Sequence, residues 1–71
     1  MTQYVIEFWD VRNSSVSLAS RGFFGAPNHD EARVKAFALA KGVKLGKTVR
    51  LKVKPVNDVV PILDKEIYLP S

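Results

Sequence analysis

The chain contains no cysteine and only one histidine. Without thiols there is no disulfide framework and no thiolate zinc site. One imidazole cannot build a histidine-rich metal centre, so no metal or cofactor is expected. No apolar run approaches the roughly 18 residues that read as a membrane span. The start, Met1-Thr2-Gln3-Tyr4, enters an alternating stretch that contains Glu7 and Asp10. That is not the basic start and unbroken apolar run of a secretion signal. The expectation is a cytoplasmic protein with no membrane partner. Acidic residues are also missing from one long stretch. Between Arg33 and Lys54 there are eight basic residues (Arg33, Lys35, Lys41, Lys44, Lys47, Arg50, Lys52, Lys54) and no Asp or Glu.

Seventy-one residues leave room for one domain, 1–71. A chain this short hides only roughly 60% of its unfolded surface. With 46% hydrophobic residues, stability has to come from an apolar core or from self-association. The oligomeric state is left open.

Residues 3–11 are dominated by β-branched and aromatic side chains and read as a strand. Tyr4, Ile6 and Phe8 share one face; Val5, Glu7, Trp9 and Val11 share the other. The first face carries no charge and is the core candidate. Arg12-Asn13-Ser14-Ser15 reads as a turn. Val16 to about Arg21 returns as a second strand. Gly22-Phe23-Phe24-Gly25-Ala26-Pro27 then leaves the sheet, punctuated by glycine and proline.

A helix is expected from Asn28 to about Lys41. Asn28 is placed to cap the first turn, and Glu31 to reach back to the Asn28 N–H. Asp30 and Glu31 oppose the helix dipole at its positive end. Gly42 reads as a left-handed stop. Ala32, Ala36, Leu39 and Ala40 form one apolar stripe, while Val34, Phe37 and Ala38 lie on another side. Lys47 to Lys54 gives the cleanest strand: Val49, Leu51 and Val53 point one way, Arg50, Lys52 and Lys54 the other. Pro55 ends it. After a proline-broken apolar segment, a turn at Asp64-Lys65 leads into a short strand from Glu66 to Leu69. The expected fold is α+β: a small antiparallel sheet of three or four strands packed on one helix, in the order β-β-α-β(-β).

Catalytic patterns are weak. His29-Asp30-Glu31 is the one cluster of acid–base groups, but three consecutive first-turn positions point in different directions, and capping accounts for them. Ser14, Ser15, Ser17 and Ser20 lack a base that would activate a nucleophile. Gly42 to Thr48 invites a phosphate-loop reading, but has three residues between its glycines where four are needed, and runs from helix into strand. The expectation is a protein that is not an enzyme.

The strongest functional signal is the alternating Arg50, Lys52 and Lys54. Cations on one strand face are spaced about 6.6 Å apart, near the phosphate step of a nucleic-acid strand. The plain alternative is a solvated face, or lysines guarding a sheet edge. Trp9 lies opposite the core face, where it could stack on a base or anchor an interface, or be buried under the C-terminal tail. Of Phe23 and Phe24, one ring is expected in the core and the other exposed. Two readings follow. In the first, the chain binds DNA or RNA through Lys44, Lys47, Arg50, Lys52 and Lys54, with Trp9 or Phe23 stacking on bases. In the second, it is a phage-like or bacterial regulator that docks on a larger enzyme, or a homodimer, through Trp9, Phe24, Val34 and Phe37.

Overall fold

A computed structural model describes residues 1–12 and 15–71. The chain runs β1 (Thr2–Arg12), β2 (Ser15–Ala26), α1 (His29–Lys41), β3 (Lys47–Pro55) and β4 (Leu63–Leu69). The four strands form one antiparallel sheet in the order β2-β1-β3-β4. The expected α+β fold, with its β-β-α-β-β order, is the observed one. The expected turn at residues 12–15 has its centre, Asn13 and Ser14, outside the described residues.

The helix covers one face of the sheet. Tyr4, Ile6 and Phe8 of β1 and Val49, Leu51 and Val53 of β3 point towards it and are buried, as the alternation predicts. The helix meets them with Ala32, Ala36 and Ala40, all buried. Side chains this small let the helix backbone lie close to the sheet. Leu39 does not join this stripe; it is 45% exposed, and Phe37 packs on the core instead. Phe37 lies beside Ile67 and Leu69 of β4. Tyr4 holds the helix entrance through its hydroxyl, 2.8 Å from His29 Nδ1. The Tyr4 ring stacks on Phe24, with centroids 5.6 Å apart.

Asn28 caps the helix, its Oδ1 accepting from the Glu31 N–H at 2.9 Å. Gly42 is not left-handed, with φ −83°. The positive φ falls at Gly46 (65°), where the chain turns into β3. Extended backbone also runs further than the punctuation predicts. Gly22 to Ala26 stay in β2, paired with Ile6 to Thr2 of β1. The glycines do not break the strand because β1 supplies a partner at each position. Phe24 then falls on the helix side and Phe23 on the other. Asp64 and Lys65 likewise lie inside β4 rather than in a turn, paired with Lys52 and Leu51. Lys65 lays its stem towards the core side, its Nζ 5.5 Å from the Phe37 ring centre.

Candidate nucleic-acid interface

Among the described residues, no second helix covers the other sheet face. Strand alternation and register send to it Phe23 and Arg21 from β2, and Val5, Glu7 and Trp9 from β1. Arg50, Lys52 and Lys54 come from β3, and Asp64, Glu66 and Tyr68 from β4. Thus Trp9 and the three strand cations share one open surface. Trp9 is half-buried and lies among open-face residues rather than under the tail. Phe23 is 69% exposed, while Phe24 packs against the core.

At the centre of this face sits Glu7, a carboxylate only 8% exposed. It accepts two hydrogen bonds from Arg21, 2.9 Å from Nε and 2.6 Å from Nη2, and one from Trp9 Nε1 at 3.3 Å. A buried charge requires such partners. The network fixes the indole plane and draws Arg21 inwards. Lys52 places its ammonium 5.5 Å from the centre of the same indole, within cation–π range. A shallow depression of about 200 Å³ lies alongside, lined by Val5, Glu7, Arg21, Phe23, Lys54 and Val56.

The basic block is acid-free in sequence but not in space. Arg50 donates to Asp64 Oδ1 at 2.6 Å, and that bond, with the carboxylate's charge, raises the Arg50 pKa further above its ordinary value. Glu66 stands opposite Arg50 in the register, and Lys52 stands between Glu7 and Asp64. The open face thus carries four cations (Arg21, Arg50, Lys52, Lys54) against three carboxylates (Glu7, Asp64, Glu66). Folding interleaves what the chain segregates.

Two expected members of the nucleic-acid site lie elsewhere. Lys47 has the parity of Val49, so it falls on the helix side, where its Nζ pairs with Asp10 at 2.7 Å. Lys44 is in the loop between α1 and β3, outside the sheet. The alternative set is also divided. Phe24 and Phe37 pack on the core at the helix side, Trp9 lies across the sheet, and Val34 is 65% exposed on the helix. These four do not form one surface. Sequence reasoning missed Arg21 and Tyr68, the latter 63% exposed on the open face. Among the described residues there is no group of three or more metal-ligating side chains, and no helix is long and apolar enough to cross a membrane. No family model, curated protein or solved structure matches the chain, so this surface has to be read from its own chemistry.

Proposed function

We propose that the chain is a small cytoplasmic binding module, not an enzyme, whose open sheet face takes single-stranded nucleic acid. The observation that carries this reading is the composition of that face. Trp9, Phe23 and Tyr68 alternate there with Arg21, Arg50, Lys52 and Lys54, while the opposite face is closed by the helix. Aromatic platforms beside cations bind unpaired bases by stacking and their phosphates by charge. A duplex keeps its base faces stacked inside and offers such rings nothing to stack on.

The ion pairs set how strong the electrostatic part is. Arg50 and Arg21 are already engaged by Asp64 and Glu7. Lys52 and Lys54 have no carboxylate within salt-bridge distance among the described residues. Lys54 Nζ donates to the Asp58 backbone carbonyl at 3.1 Å. Two phosphates held by these lysines would give a log–log salt slope of about −1.4 for a single strand. Stacking adds a part that is insensitive to salt, about 1–3 kcal/mol per base.

The test is fluorescence anisotropy of labelled single- and double-stranded oligonucleotides at low and physiological salt. Tighter binding of the single strand, with that shallow slope, is the expected result. A duplex preference, or a slope near −5 or steeper, would mean that phosphates are held by a surface other than this face.

A further inference from the structure

The two edges of the sheet are built differently. The β4 edge has seven residues, of which Asp64, Lys65 and Glu66 are charged, and prolines stand near both its ends at 61 and 70. Charges and prolines of this sort keep an edge from pairing. The β2 edge has twelve residues, no proline, and a single charged residue, Arg21, whose guanidinium is held by Glu7 of its own chain. It also exposes Val16, Leu18 and Phe23.

The backbone of this edge can be oriented. The Gln3 carbonyl accepts from the Val56 N–H on the β3 side. In an antiparallel ladder alternate residues turn both N–H and C=O to the same side. Tyr4 and Ile6 therefore face β2, and their partners Phe24 and Gly22 face back. That leaves the backbone groups of Arg21, Phe23 and Gly25 turned to the free edge. The Gly25 carbonyl confirms the orientation, since it accepts from Lys35 Nζ at 2.9 Å, outside the sheet.

We propose that the chain pairs with a second copy of itself along β2, antiparallel about a two-fold axis near Gly22. This register sets Arg21 of one copy opposite Phe23 of the other, and the reverse. It keeps Arg21 away from its own copy, where like charges would repel, and gives each guanidinium an aromatic face. It also supplies hydrogen-bond partners for the outward groups of Arg21 and Phe23. The bulge at Ala19, the residue of β2 that β1 leaves unpaired, falls opposite Gly25, which has no side chain of its own, and pairing there displaces the Lys35 ammonium from the Gly25 carbonyl. Pairing is self-limiting, because the edges that remain are the two guarded β4 strands; the product is a closed dimer and not a fibre. Stable interfaces bury about 800 Å² per partner, a modest share of the 4582 Å² the chain exposes. Edge pairing leaves Trp9, Tyr68 and the lysines of the open face uncovered and joins two such faces into one.

The test is sedimentation equilibrium of the full chain from about 5 to 500 μM, with amide hydrogen exchange followed residue by residue. The account predicts a mass rising to twice the 7.9 kDa of one chain. Exchange at the Arg21 and Phe23 amides should slow at least tenfold with concentration. Phe23→Pro removes an outward N–H without touching the β1 ladder, and should weaken the dimer at least tenfold with an unchanged circular dichroism spectrum. A monomer throughout overturns the proposal. So does a dimer in which those two amides exchange as fast as in the dilute chain, and that reading needs no variant to fold.

Discussion

Replacing Leu51 by alanine is expected to remove about 2–5 kcal/mol of folding free energy. For a domain of this length the whole is on the order of 4–10 kcal/mol, so the variant stands close to the unfolding threshold. Leu51 is fully buried on a central strand, between Phe8 of β1 and Lys65 of β4. The alanines of the helix cannot move in to fill the gap, because the helix backbone already lies close to the sheet. Leu39→Ala is the informative control. Helical spacing puts Leu39 in the core stripe, whereas the structure leaves it 45% exposed. Its loss is expected to cost no more than about 0.5 kcal/mol. Urea unfolding of the two variants separates these readings, and equal losses would contradict the packing described.

The second large effect concerns the open face. Lys52→Gln together with Lys54→Glu is expected to weaken single-strand binding on the order of tenfold at low salt. The estimate counts two lost attractions and one new repulsion at about 0.2–1 kcal/mol per exposed pair. The salt slope should fall by about 1.4, the share of two phosphates. Lys47→Gln should leave binding unchanged, since Lys47 lies on the helix side with Asp10. The choice of substitutions follows from the register. Reversing Arg50, Lys52 and Lys54 together would crowd new carboxylates against Glu7, Asp64 and Glu66, and like charges directly opposite destabilise a sheet. Such a variant would lose binding by losing its fold. Anisotropy titrations, with thermal melts to establish folding, check the gentler pair.

Alternation made most of the fold legible. Val49, Leu51 and Val53 against Arg50, Lys52 and Lys54 identified both faces of β3, and the charge-free side of β1 identified the core. What stayed hidden depended on which strands become neighbours. Pairing of β3 with β1 and β4 carries Glu7 and Asp64 beside the basic strand, and no local pattern encodes that. The bulge at Ala19 hid Arg21. Counting back from the hairpin, Val11 opposes Val16 and Trp9 opposes Leu18, yet beyond the bulge Phe8 meets Ser20 and Glu7 meets Arg21. One inserted residue reverses the parity of the rest of β2. The glycines at 22 and 25 read as breakers because local propensity sees no partner strand. Lys47, expected to assist the basic strand, shares the parity of Val49 and so falls on the helix side beside Asp10.

The interleaving of acids and bases also bears on the kind of binding proposed for the open face. A phosphate-driven surface would need its cations unengaged, and here Arg21, Arg50 and Lys47 are held by Glu7, Asp64 and Asp10. These pairs position the rings and the two remaining lysines more than they project a field. Under the proposed function, affinity would rest chiefly on stacking, and discrimination would fall between unpaired and paired bases rather than among sequences.

Trp9 is the only tryptophan, and it lies on the open face, so its emission reports on that surface alone. The most direct measurement is a titration of the unlabelled protein with an unlabelled oligothymidine, following Trp9 fluorescence at low and physiological salt. The account predicts a saturable change in emission, weakened only modestly by salt and shifted to higher oligonucleotide concentration by Lys52→Gln with Lys54→Glu. Emission that stays constant while anisotropy shows the oligonucleotide bound would place the ligand elsewhere on the molecule and contradict the assignment of this face.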